Sequence, residues 1–144
     1  MSAVERPIGV EPEAVWALLS APSAYPRWVL GMTEVRRADG DWPRLGSSFE
    51  YGFRWGPIRL SGRATCLEAH PPNHLRLRWR RRLLAESIAE ITIRPVPGGS
   101  RIRLADSPTG LFVALSGNAL IDAVRMGNDV TSIDRLHRLA RRVN

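Results

Sequence analysis

SSFEYGFRWGPIRLSGRATCLEAHPPNHLRLRW, residues 47–79, decides the architecture. From Ser47 to Trp55 the side chains alternate, with Phe49, Tyr51, Phe53 and Trp55 on one parity. Gly56-Pro57 turns the chain tightly. Alternation resumes from Ile58 to Ala69, where Ile58, Leu60, Ala64 and Cys66 face one way and Arg59, Ser61, Arg63 and Thr65 the other. Pro71-Pro72-Asn73 breaks the run. From His74 to Leu83, Leu75, Leu77, Trp79 and Leu83 share a face, opposite Arg76, Arg78, Arg80 and Arg82; Arg81 sits on the apolar parity near the strand's end. Successive side chains of a strand point to opposite faces. A period of two with one apolar face therefore predicts antiparallel strands, packed on one side and wet on the other.

The same pattern extends outward. Thr33 to Ala38 reads as a strand, and Asp39-Gly40-Asp41 turns the chain. Ser87 to Val96 and Arg101 to Ser107 flank Pro97-Gly98-Gly99, a hairpin signal. Before these, Glu11 to Leu19 reads as a short helix. Pro12 suits a first helical position, and Glu11 and Glu13 suit the positive end of the helix dipole. Pro22 stops it, and Ser23 to Val29 forms a second short turn or helix holding Tyr25 and Trp28. In the last third the period changes. From Gly110 to Arg142, Leu111, Leu115, Ala119, Met126, Val130, Ile133, Leu136 and Ala140 recur at three and four, the mark of a long amphipathic helix. Gly117 and Gly127 weaken it and favour a bend.

The predicted order is an extended start, two short helices, about six antiparallel strands and one long C-terminal helix. This is an α+β arrangement, a curved six- to seven-stranded antiparallel sheet around a long helix, in one domain spanning 1–144. One helix cannot fill the concavity of such a sheet, and the remaining space is where a ligand cavity is expected.

VEPEAVWALLSAPSAYPRWVLG (10–31) carries a VW…L…YP.W pattern at Val15-Trp16, Leu19, Tyr25-Pro26 and Trp28. LGSSF (45–49), AHPPNHLRLRW (69–79) and PVPGGSRIRL (95–104) follow in order. Together these segments resemble the SRPBCC (START-like, polyketide cyclase/dehydrase) superfamily over nearly the whole chain. The resemblance implies a helix-grip fold, in which a seven-stranded sheet grips the C-terminal helix around a hydrophobic cavity. Its members include aromatic polyketide cyclases, lipid and sterol carriers, coenzyme Q-binding proteins and plant allergen-type binders. They share a pocket and no common catalytic motif.

Composition limits the function classes. The chain has 144 residues, 44% hydrophobic and 24% charged, which suits one globular domain and excludes disorder. It carries 21 basic and 14 acidic residues, a net charge of +7, and every basic residue is Arg. GC-rich coding gives such a bias, and so does an acidic partner such as nucleic acid or phospholipid. Placing the arginines on strands separates these readings. Most of Arg76 to Arg82 lies opposite the apolar parity, with Glu86 and Glu90 on the next strand in position to pair across the sheet. No aromatic residues interleave there, so nucleic acid is disfavoured and an anionic membrane surface stays open. The single Cys66 excludes an internal disulfide, and MSAVERPIGVEPEAVW lacks the apolar run of a signal peptide. The expected location is the cytoplasm.

Candidate site residues fall in two groups. Phe49, Tyr51, Phe53 and Trp55, with Trp28, Leu77 and Trp79, read either as core or as a wall that stacks on a flat apolar ligand. Tyr51 alone of the four on its strand offers a hydroxyl. On the C-terminal helix, Asn118, Asp122, Arg125 and Asp129 fall on one line. Either Arg125 bridges the two carboxylates on a solvated edge, or the line faces the cavity and offers charged groups to a ligand. In the second case a partly buried Asp122 or Asp129 has a raised pKa unless Arg125 holds it ionised, and can act in proton transfer. Tyr51, Asp122 and Arg125 are then the catalytic candidates for a cyclase or dehydratase. Cys66 reads as a buried small hydrophobe. His70 and His74 bracket the Pro71-Pro72-Asn73 turn with no carboxylate or thiol cluster in the sequence pattern, so no metal site is expected, nor any cofactor.

Overall fold

The computed structural model describes residues 2–81, 85–109 and 130–140. Seven strands form one sheet: β1 (Ser2–Ile8), β2 (Met32–Ala38), β3 (Ser48–Trp55), β4 (Ile58–His70), β5 (His74–Arg81), β6 (Ala85–Val96) and β7 (Gly99–Thr109). Their order is β1-β7-β6-β5-β4-β3-β2, and every neighbouring pair is antiparallel. The alternation in 47–79 thus becomes three consecutive hairpin strands. The extended start becomes an edge strand, paired to β7 from Ser2↔Asp106 to Ile8↔Ser100.

Two short helices follow β1. α1 (Pro12–Leu19) starts on Pro12 with Glu13 in its first turn, and it buries Pro12, Val15, Leu18 and Leu19. A single 3-10 turn at Pro22–Ala24 leads into α2 (Tyr25–Trp28), which buries Tyr25 and Trp28. At the other end of the chain, residues 130–140 form helix α3. Ile133, Leu136 and Ala140 of α3 are buried in one core cluster with sheet residues such as Ile8, Phe49, Leu77, Ile93 and Ile102 and with Val15 and Leu19 of α1. Ser132 Oγ accepts the Leu30 N–H at 3.0 Å, which ties α3 to the segment after α2. This is the helix-grip arrangement that the resemblance implies. Among the described residues, no helix is long and apolar enough to cross a membrane.

Two inward assignments change. Ile58, on the apolar parity of β4, is 51% exposed, and Phe53 is only partly buried. Both lie toward the Gly56-Pro57 end of the β3–β4 hairpin, where the packed layer thins out. Alternation assigns a face to a side chain; it does not assign depth. The side chain of Trp55 lies outside the described residues, as does that of Arg81.

A register shift between Cys66 and Glu68 is the second departure. Strict alternation would put Glu68 and His70 on the same parity as Ala64 and Cys66. The extra residue reverses the parity, so Ala69 packs toward the core and Glu68 and His70 face outward.

Candidate functional site

The concave face carries a cluster of six aromatic rings. Phe49 and Tyr51 on β3 are each 1% exposed, and Trp79 on β5 lies beside them, its ring 6.1 Å from Phe49 and 5.5 Å from Tyr51. Tyr25 of α2 joins from above, with its ring 5.0 Å from Phe49 and 6.2 Å from Trp79. Trp28 lies 5.0 Å from Tyr25, and Trp42 lies 4.7 Å from Phe49. All of these contacts are tilted or edge-on, the geometry that ring quadrupoles favour.

Glycine makes room for the central ring. Tyr51 and Gly62 are register partners on β3 and β4. A Cβ at Gly62 would stand 2.5 Å from Tyr51 Cζ and Oη, so the ring lies directly over bare backbone.

Two polar tips of the cluster converge on one acceptor. Leu19 O, at the end of α1, accepts the Tyr25 hydroxyl at 2.7 Å and Trp42 Nε1–H at 3.0 Å. Helix ends leave carbonyls without intrahelical partners, and these two donors satisfy one of them inside the core. Burial pushes the Tyr25 hydroxyl far above the ordinary phenol range, so it stays protonated and donates. Trp28 differs: it is 3% exposed, and its Nε1–H has no acceptor among the described residues.

Phe49, Tyr51, Leu77 and Trp79 are buried on the face that alternation assigned to them, and Trp28 is buried beside them; Phe53, assigned to the same face, is only partly buried. Asn118, Asp122, Arg125 and Asp129 lie outside the described residues. The sequence did not reveal Tyr25 and Trp42 as members of the aromatic cluster. Trp42 sits in the long β2–β3 connection, read as a simple turn. Its signal was a large aromatic residue with one N–H in an otherwise polar stretch, which is unfavourable unless the loop folds under. Hydrogen bonds hold that loop: Gly46 N–H to Cys66 O at 2.9 Å and Cys66 N–H to Ser47 O at 2.8 Å. Cys66 donates its thiol to Pro43 O at 3.2 Å, and burial raises its pKa, as expected of a buried hydrophobe.

The opposite face is polar. An open cleft of about 480 Å³ is lined by Arg36, Glu50, Ser61, Gly62, Arg63 and Arg80. Its guanidiniums are matched by carboxylates: Arg63–Glu50 at 2.8 Å, Arg36–Glu34 at 3.1 Å and Arg80–Glu86 at 3.3 Å. Arg78 meets Glu86 at 3.0 Å, while Arg94 and Arg101 each meet Glu5 at 2.7 Å. The cross-sheet pairing predicted for Glu86 is present. Glu90, the register partner of Arg76, instead meets His74 at 3.1 Å. The two histidines also have carboxylate company that the sequence pattern did not reveal, since Glu68 stands 2.8 Å from His70.

No curated protein matches the sequence. Solved structures do. A protein from Chromobacterium violaceum is 17% identical, with 96% of each chain covered and a TM-score of 0.77. One from Nitrosomonas europaea is 17% identical, covering 99% of this chain and 95% of its own, with a TM-score of 0.78. The AHSA1 protein from Silicibacter pomeroyi is 22% identical, with 99% of each chain covered and a TM-score of 0.71. At these identities the likeness shows the shared fold. The sequence itself, over residues 2–144, matches the family described as polyketide cyclase / dehydrase and lipid transport, and the chain belongs to that family.

Proposed function

We propose that this protein binds a hydrophobic or aromatic small molecule, lipid- or polyketide-like, in an internal cavity between the sheet and the C-terminal helix. The observation that carries the reading is the aromatic cluster on the concave face, together with the Trp28 indole N–H inside it, which has no acceptor among the described residues. Rings of this kind stack on flat or long apolar molecules, and a lone buried donor suits a ligand with one carbonyl or hydroxyl. The family description, which joins cyclisation with lipid transport, supports an apolar ligand. The matched arginines of the outer face support leaving nucleic acid aside. A single free thiol suits the cytoplasm. Native mass spectrometry of freshly purified protein, with competition against a hydrophobic dye, tests the proposal. A co-purifying apolar mass or saturable dye displacement supports it; neither result occurring overturns it.

The family description also favours a second reading, in which the same cavity catalyses cyclisation or dehydration. Such chemistry rests mostly on orientation, with one or two proton carriers. Tyr51, Asp122 and Arg125 are the carriers in that reading. Asp122→Ala and Arg125→Ala should then change product distribution, and unchanged turnover removes both residues from the mechanism.

A further inference from the structure

The outer face of the β4–β5 hairpin gathers metal-ligating groups. His70 and His74 are register partners beside the turn, and their rings stack at 5.9 Å and 26°. The bulge after Cys66 brings Glu68 to the same face. One ligating atom from each of Glu68, His70 and His74 lies within 4.8 Å of the other two. From β6, Glu90 Oε1 stands 3.1 Å from His74 Nε2. We propose that Glu68, His70 and His74 form a binding site for a divalent transition-metal ion of the zinc class, with the Glu90 carboxylate as a fourth ligand.

The donor set fits that class. Two imidazoles with carboxylates suit a borderline ion such as Zn²⁺, whereas Mg²⁺ and Ca²⁺ prefer oxygen alone. Tetrahedral bonds of about 2.1 Å would place ligand atoms about 3.4 Å apart. The present spread closes by rotating side chains, and His70 and Glu68 have the freedom to do so at 65% and 44% exposure. The scaffold beneath them is fixed. Asn73 N–H donates to His70 O at 2.8 Å, Ile93 N–H donates to Asn73 O at 2.7 Å, and Asn73 Nδ2 donates to Ile93 O at 3.1 Å. Ligands on strands held this way lose little freedom on binding.

Arg76, the register partner of Glu68, opposes a cation here, and the carboxylates of Glu68 and Glu90 favour one. A bound ion would join β4, β5 and β6 at one end of the sheet, outside the aromatic cluster and independent of what that cluster binds.

The test is calorimetric titration of the untagged full chain with Zn²⁺ alone, with Co²⁺ absorption reporting coordination. The expected result is one ion per chain, tetrahedral ligand-field bands with Co²⁺, and no competition from equimolar Mg²⁺. His70→Ala, His74→Ala and Glu68→Gln should each weaken binding at least tenfold. His137→Ala, which removes the third histidine of the chain, should leave it unchanged. Glu68→Gln keeps the test valid if a histidine variant fails to fold. No saturable binding, or Zn²⁺ affinity retained in Glu68→Gln and in the folded histidine variants, overturns the proposal.

Discussion

Replacing Gly62 by Ala tests how the aromatic wall is held. The new Cβ would stand 2.5 Å from Tyr51 Cζ and Oη and 2.9 Å from Cε2. Tyr51 cannot swing away freely, because it is 1% exposed and packs against Phe49 and Trp79. Overpacking of this kind costs about 1–3 kcal/mol. The backbone at Gly62 is ordinary, so losing glycine's freedom in the unfolded chain returns about 0.4–1 kcal/mol. The net expectation is a loss of about 1–2 kcal/mol, or roughly 3–6 °C in Tm for a chain of this length. Urea and thermal unfolding of wild type, Gly62→Ala, Tyr51→Leu and the double variant form the cycle. In the Tyr51→Leu background the alanine should be neutral or slightly stabilising, giving a coupling of about 1–2 kcal/mol. A neutral Gly62→Ala in the wild type, or the same cost in both backgrounds, would refute the close approach of ring and backbone.

The shared acceptor at the end of α1 predicts non-additivity. Tyr25→Phe and Trp42→Phe should each cost about 1 kcal/mol in urea unfolding, while the double variant should cost more than the sum, because only then does Leu19 O lose both side-chain donors. The ion pairs of Glu5 predict a pH effect. Arg101 and then Arg94 hold its carboxyl below the ordinary value of 4.5, so the pairing stabilises the fold fully above that value and is lost as pH falls through the lowered one. Glu5→Gln should therefore show a shallower loss of stability than wild type between neutral and strongly acidic pH, and identical slopes would count against the pairing.

The sheet was legible because its signal is local. Alternation in 47–79 located β3, β4 and β5 to within a few residues, and Pro97-Gly98-Gly99 located the β6–β7 turn. Gly99 explains why that turn is glycine-rich: its φ is +154°, and a Cβ there would stand 2.2 Å from Ile8 O. What was not legible depends on contacts between distant segments. Parity could not foresee the bulge after Cys66, which turns Glu68 outward beside His70 and creates a histidine–carboxylate cluster where the pattern had none. Nor could it foresee that Trp42 would fold under the sheet to reach Leu19, 23 residues away. Ile58 illustrates the converse, an apolar residue on the right parity that is 51% exposed among the described residues. The polar line Asn118, Asp122, Arg125 and Asp129 stays a sequence expectation.

The central claim is that an apolar ligand enters the aromatic cluster. The five tryptophans give five indole N–H signals, so a nitrogen-15 NMR titration with an anilinonaphthalene dye reads the cluster directly. The account predicts a saturable shift of the Trp28 indole signal, whose N–H has no acceptor among the described residues. It predicts a much smaller shift for Trp42, whose N–H is held by Leu19 O. A dye that binds while the Trp28 signal stays in place, or no saturable shift at all, would contradict it.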